Sequence, residues 1–369
     1  MPFGSEGVEP GIGLALSGGG FRAALFHIGT FWRLAELGVL PDLTRISSVS
    51  GGSIFSGVLA CHWKDIVGAA SPVEAYQNLV VGPLRQFCSQ HVDSFAIGEG
   101  LLAVFGTAAD AIEAKYAALM PLSLDQLPES PTFVFNASNL QTGRDFRFSK
   151  PYMGDYRIGL IRDPTIAVAK AATASSAFPP FLSPVILDHP GIFEGVAGAD
   201  LNGNRDYTDK VYLADGGVYD NMGLETVWNR CQTVLVSDAG APFKLATEVG
   251  ADWVSQPLRA LDIAMDQALG LRKRVLMDEF ERNVRAGAYW GITTKIAGYD
   301  VANGLACSDA IVQPLASMRT RLNPFTEIEQ SQLINWGYAL CDAATRKYAP
   351  QIVKSTTAAK WPCPGYPLG

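Results

Sequence analysis

The chain has 369 residues, is 48% hydrophobic and 18% charged, and carries a formal net charge of −7. That balance describes a well-cored globular protein of one large α/β domain, or of two, and excludes a disordered chain. The negative charge argues against nucleic acid as a partner and supplies no bulk attraction to anionic membranes.

In chain order, "GIGLALS" (11–17) reads as a short buried strand. "GGG" follows, and then Leu25, Ile28, Trp32 and Ala35 recur at helical steps until Gly38 provides a C-terminal stop. "TRISSVS" is a second short strand, and "GGSIFSGVLACHW" begins a second helix. The opening 65 residues therefore alternate strand and helix, the pattern of a parallel α/β sheet. Residues 66–130 are Ala-rich and mainly helical in pattern, which marks an insertion. "TFVFNAS" and "RDFRFS" are strands joined by "NLQTG", and "TIAVAKAATASSA" is a helix ended by "FPP". "KVYLA" and "TVLVSDAG" are further strands. C-terminal helices occupy about 255–345: one carries Leu258, Leu261, Met265 and Leu269 on a stripe, and the last opens with Thr326 and Glu329 at capping-box spacing. The tail "KWPCPGYPLG" is rich in Pro and Gly and reads as irregular. With strands spread over the whole chain and no repeat or linker, a single domain over 1–369 is expected.

Several other features bear on class. Cys61, Cys88, Cys231, Cys307, Cys341 and Cys363 form no CxxC pair, so they read as buried free thiols and not as zinc ligands. "MPFGSEGVEPG" lacks the basic and apolar regions of a secretory signal, and no run reaches about 18 apolar residues. A cytoplasmic protein is expected, with "NAS" at Asn136 a chance match to a glycosylation pattern.

The chemistry concentrates in three places. A nucleophile elbow usually reads G-x-S-x-G, with small residues where strand and helix approach closely. In "SVSGG", Ser50 has Ser48 two before it and Gly52 two after it. Ser47 and Ser48 fall within the strand, and Ser53 falls in the helix. "SGGGFR" (17–22) lacks both the Lys-Ser/Thr of a P-loop and a GxGxxG, so its converging amides suit an oxyanion better than a nucleotide. Arg22 has two readings: a ligand for a substrate phosphate or, more usually, a structural tie for the loop. The four histidines are His27, His62, His91 and His189, all before the best acid, Asp215, so the Ser–acid–His order of an α/β-hydrolase is not met. His62 lies about 18 Å down the helix from Ser50, whereas His27 is not excluded by distance. Asp215, at a strand end before Gly216 and Gly217, can serve as base if burial raises its pKa; the plain alternative is an Asp-Gly turn. Asp238 is a weaker strand-end acid. "DLNGNRD" (200–206) has Arg205 where a calcium loop needs Gly and Val211 where it needs Glu, so an Asn-Gly hairpin turn explains it better.

Together "SGGGFR", "SVSGG" and "DGG", in that order, resemble the patatin-like phospholipase family, as does "ASSAFPPFLSP" (174–184). The recognisable part covers about 11–224; Ser48 departs from the family's usual glycine. The resemblance implies a three-layer α/β/α sandwich with a mostly parallel central sheet. It implies acyl-ester hydrolysis of lipids or phospholipids without metal or cofactor, with Ser50 as nucleophile and Asp215 as general base. Gly18, Gly19 and Gly20 match its oxyanion loop, joined by the amide of Gly51. Two rival readings keep the same fold: a soluble-ester or thioester hydrolase, and a non-catalytic lipid-binding protein. "GLLAVFG" (100–106) is either a lid, a surface for transient membrane contact, or core.

Overall fold

The computed structural model describes residues 8–92, 108–180 and 182–369, so the apolar run 100–106 lies outside the described residues. Ten strands form one sheet: β1 (Glu9–Leu16), β2 (Leu43–Ser48), β3 (Thr132–Asn139), β4 (Arg144–Ser149), β5 (Tyr152–Asp155), β6 (Gly159–Arg162), β7 (Val185–Asp188), β8 (Lys210–Asp215), β9 (Cys231–Asp238) and β10 (Ala286–Gly291). Their order is β10-β9-β1-β2-β3-β4-β5-β6, with β8 pairing both β3 and β7. The strands from β10 to β3 run parallel. Beyond β3 every pairing is antiparallel, so the sheet is mixed and its parallel character is confined to the half that carries Ser50. Short connections such as 140–143 and 150–151 permit only antiparallel neighbours, because a parallel return needs a crossover of a dozen residues or more.

The principal helices are α1 (Gly20–Glu36), α2 (Gly51–Gly68), α3 (Ala108–Ala117), α4 (Val168–Ser176), α5 (Ser255–Glu281) and α6 (Glu327–Tyr348). Alternation along the central strands assigns them to two faces. Leu14, Leu16 and Leu235 join the large core built with α1, α2 and α6. Ala15, Val234 and Val236 point the other way, to a smaller cluster with Leu224, Val227 and Leu276. Helices therefore cover both faces of the sheet in three layers. The Ala-rich region does not stand apart: Tyr76, Leu84, Phe87, Ile112 and Tyr116 belong to the large core.

Local chemistry explains the element ends. Helix α1 stops before Gly38, whose φ is 72°. Thr326 and Glu329 form the expected reciprocal cap of α6: the Glu329 amide donates to Thr326 Oγ1 at 3.3 Å and the Thr326 amide to Glu329 Oε2 at 2.8 Å. The stretch 200–206 turns, but it is not a hairpin. Asn204 caps a four-residue helix, Arg205–Thr208, within the long connection from β7 to β8. Asn202 is occupied by the carbonyls of Ile158 and Phe193, and Asp200 pairs with Arg157, so neither side chain is left to shape a two-residue turn. All six cysteines are free; Cys88, Cys231, Cys341 and Cys363 are buried, while Cys61 and Cys307 are half-buried. No helix among the described residues is long and apolar enough to cross a membrane.

Candidate active site

Ser50 sits between the end of β2 and the start of α2 with φ 51° and ψ −119°, a conformation that L-residues rarely adopt. The strain holds because neighbours define the turn from every side. The Ser50 amide donates to the carbonyl and to Oγ of Ser175, each at 3.1 Å. A Cβ at Gly51 would fall 2.0 Å from the Gly20 carbonyl oxygen, so only glycine lets the two strand-to-helix turns meet. Ser48, where glycine is more usual, is accommodated: its hydroxyl donates to the Val134 carbonyl at 3.3 Å and accepts from Ser53 Oγ at 3.0 Å. Ser53 is buried in that network, and Ser47 Oγ donates to the Gly223 carbonyl at 2.6 Å. Of the four serines in the stretch, Ser50 alone occupies the apex.

Asp215 ends β8, opposite Ala137 of β3, and is 2% exposed. Its carboxylate accepts from the Gly217 amide at 2.7 Å, and the Ser50 side chain stands close enough to favour its ionised form. Burial pushes its pKa up from 3.8 to about 6, against the lowering effect of the Gly217 amide and the Ser50 side chain. The turn is tied to the elbow through α4. The Asp215 amide donates to the Ala177 carbonyl at 2.9 Å, and the Gly216 amide donates to the Ser175 carbonyl at 3.1 Å. One carbonyl, that of Ser175, thus receives both the Ser50 and the Gly216 amides.

The glycine loop lies alongside. A Cβ at Gly18 would come 3.0 Å from the Ser50 Cβ and 2.4 Å from Asn221 Oδ1. Gly19 and Gly20 have φ 139° and 57°, which suits glycine. The three amides differ in availability. That of Gly18 is committed to the Asn221 carbonyl at 2.9 Å. Those of Gly19, Gly20 and Gly51 make no hydrogen bond to any described residue.

Arg22 lies in the interior. It is 1% exposed; Nη1 donates to the carbonyls of Ala316 and Met318 at 2.8 and 2.9 Å, and Nη2 to that of Ala239 at 2.7 Å. Burial lowers its pKa to about 10. A guanidinium held by three carbonyls in the interior is not placed to meet a substrate phosphate. His27 is likewise a core residue. Nε2 lies 2.9 Å from the Ser17 carbonyl, which can only accept, so Nε2 carries the proton and Nδ1 accepts from Ser237 Oγ at 2.9 Å. Burial lowers its pKa to about 4, so it stays neutral. Asp238 is occupied by the Gly240 amide at 2.9 Å and Tyr289 Oη at 2.7 Å. His62 faces Asp65 at 4.0 Å, and His189 is exposed beside Asp188. Among the described residues no group of three His, Cys, Asp or Glu side chains is arranged to hold a metal.

Ser175 and Asn221 have no role readable in the sequence, although both stand in stretches that attract attention there. They act largely through main-chain carbonyls, which leave no residue-type signature. A cavity of about 510 Å³ opens elsewhere, lined by Met153, Ile161, Lys170 and Leu187; neither Ser50 nor Asp215 lines it.

The fold is that of an α/β/α protein, with Ser50 at the end of parallel β2 and Asp215 at the end of antiparallel β8. A family model described as patatin-like phospholipase matches residues 14–228, more than half of the chain, and the protein belongs to that family. Comparison with curated proteins finds no match. Among solved structures, the human GIVD cytosolic phospholipase A2 aligns with a TM-score of 0.51 at 13% identity, over 94% of this chain and 60% of that one. The same human enzyme in complex with methyl γ-linolenyl fluorophosphonate aligns with a TM-score of 0.51 at 15% identity, over 94% and 59%. This chain therefore spans about three fifths of the human enzyme's length, and the likeness is one of fold.

Proposed function

We propose that the protein is a serine lipid acyl hydrolase that cleaves fatty-acyl esters through Ser50 and Asp215. The observation that carries this reading is a serine at a strained elbow beside the buried Asp215 carboxylate, with both turns tied to the one Ser175 carbonyl. Asp215 takes the Ser50 proton as Oγ attacks the ester carbonyl. The oxyanion is received by the amides of Gly19, Gly20 and Gly51, with Gly18 holding the loop in place through Asn221. Collapse expels the lipid alcohol, which leaves with the proton from Asp215. Water then attacks the acyl-enzyme, Asp215 again accepts a proton, and the free acid departs with Ser50 restored. The chain acts as one catalytic unit, since β10 and α6 complete the sheet and core that carry the elbow. Six free thiols suit a reducing compartment such as the cytoplasm.

Mass spectrometry of products from a mixed phospholipid substrate tests the reaction. Ser50→Ala is expected to abolish both release of fatty acid and labelling by a fluorophosphonate. Asp215→Asn is expected to lower kcat by about 10²–10⁴, the usual worth of a general base. A folded Asp215→Asn protein with wild-type turnover sinks the mechanism.

The raised pKa of Asp215 has two consequences with opposite signs. As a base it must be ionised, so kcat/KM is expected to rise with pH through about 6. As a buried acid it binds its proton more tightly when folded. Its contribution to stability is therefore full below 3.8 and is lost as pH rises through about 6. Urea melts of wild type and Asp215→Asn should diverge across that window, the variant being the more stable at neutral pH.

A further inference from the structure

The loop after β9 and the start of α5 carry an apolar surface that the catalytic site does not use. Leu245 is 93% exposed and Trp253 95%, with Val254 at 65%, Val249 at 54% and Leu258 at 37%. Singly exposed apolar residues are ordinary, but five within fourteen residues, led by a tryptophan and a leucine almost wholly in water, mark an interaction surface. The segment is ordered by its own contacts. Arg259 stacks 4.1 Å over the Phe243 ring and donates to the Lys244 carbonyl at 2.9 Å, which closes the base of the loop. Asp252 Oδ1 accepts from the amides of Val254 and Ser255 at 3.0 and 2.8 Å, and Gln256 Nε2 donates to the Gly250 carbonyl at 2.9 Å.

Its position follows from the strands. The loop leaves β9 at Ala239, whose carbonyl oxygen lies 2.9 Å from where a Gly19 Cβ would sit, so it starts beside the oxyanion glycines. A cavity of about 210 Å³ brings Asp266, Leu269, Gly270 and Lys273 of α5 level with Asp238 and Gly240 at the strand ends. Residues 255–265 thus continue past that edge by about 16 Å at 1.5 Å per residue. The apolar residues stand at the tip of this projection, on the side of the sheet where Ser50 is reached. Its charges nearly cancel: Lys244 and Arg259 against Glu248, Asp252 and Asp262 leave −1 over 241–263. Such a tip has nothing to attract it to anionic headgroups and little to repel it from zwitterionic ones.

We propose that the projection formed by residues 241–263 docks on a zwitterionic lipid surface, inserting Trp253 and Leu245 and so presenting the Ser50 edge to its substrate. This rests on the lipid-hydrolase reading for its purpose, but not for its test. Vesicle flotation with phosphatidylcholine vesicles is carried out in the Ser50→Ala background, where turnover plays no part, and hydrolysis is assayed separately on wild type. Leu245→Ser with Trp253→Ser is expected to lose at least about tenfold in partition, because the apolar area removed from water supplies the binding. Val284→Ser, 50% exposed just beyond the far end of α5, is the matched control and should leave partition unchanged. Circular dichroism and the urea midpoint check that each variant folds. Equal partition of the double variant and the parent overturns the proposal, as does binding that appears only with anionic lipid. So does a dimer in sedimentation that the double variant dissolves while vesicles are ignored, which would make the tip a contact between copies. Vesicle binding in a protein inactive on every lipid ester would leave docking standing and remove the hydrolase reading.

Discussion

Helices α5 and α6 are the two longest among the described residues, and they meet opposite fates. α6 buries fifteen of its 22 residues, including polar Gln330, Asn335 and Asp342, whereas α5 fully buries only Leu276 of 27. The apolar pattern does not predict this, since α5 carries the clear stripe of Leu258, Leu261, Met265 and Leu269. The difference lies in what stands opposite. α6 crosses α1 at a mutual glycine contact: a Cβ at Gly29 would lie 1.8 Å from the Ile334 carbonyl oxygen, and one at Gly337 would lie 2.0 Å from that of Phe26. The C-terminal tail then covers its outer side, with Asn335 Nδ2 donating to the carbonyls of Cys363 and Tyr366 at 2.9 and 2.8 Å. α5 lies over the thin second face, and its first turns pass beyond the sheet edge, where they stay largely exposed. Burial of a helix is a property of the pair it forms, and amphipathicity states only which face is available.

The same substitution in the two helices sharpens the contrast. Gly29→Ala or Gly337→Ala sets a methyl against backbone, which cannot rotate away, so the helices must separate. A loss of about 3 kcal/mol or more is expected in urea unfolding, at the upper end of overpacking costs. Next come cavities. Leu340→Ala in α6, fully buried, should cost about 2–5 kcal/mol, whereas Leu271→Ala in α5, 57% exposed, should stay within about 0.5 kcal/mol. Differential scanning calorimetry on the pair would break the comparison if the two losses were equal. The smallest effect has the opposite sign. Gly270 of α5 has nothing within 4 Å of its would-be Cβ, so Gly270→Ala should stabilise by about 0.5–1 kcal/mol through helix propensity alone. A destabilised Gly270→Ala protein would mean that α5 is packed in solution more closely than described.

The elbow, the glycine loop and the "DGG" turn are legible in the chain because each is a local solution. A strand end, a tight turn and a helix start are encoded within about eight residues, and the small residues they need are written there. The mixed sheet was partly legible. The short connections after β3 announce antiparallel neighbours, but the return of β8 to pair with β3 joins segments some 75 residues apart. The choice between readings was not local in any instance. Arg22 is tied down because the Ala316 and Met318 carbonyls come to it from almost 300 residues away. His27 is inert because Ser237 and Ser17 take both its nitrogens. The Gly18 amide is committed because the Asn221 carbonyl accepts from it.

By itself, then, the sequence determined which serine can stand at an elbow, which aspartate ends a strand before two glycines, and that strand and helix alternate around them. Those outcomes depend on backbone conformation and residue size over short spans, which composition and spacing express directly. Only the tertiary structure decided that the Asp215 turn lies beside the Ser50 turn, that one Ser175 carbonyl ties the two together, and that α5 projects while α6 is enclosed. Each of these depends on a carbonyl or a surface supplied from far along the chain, and main-chain groups are the same at every residue, so nothing in the letters marks which of them will be used.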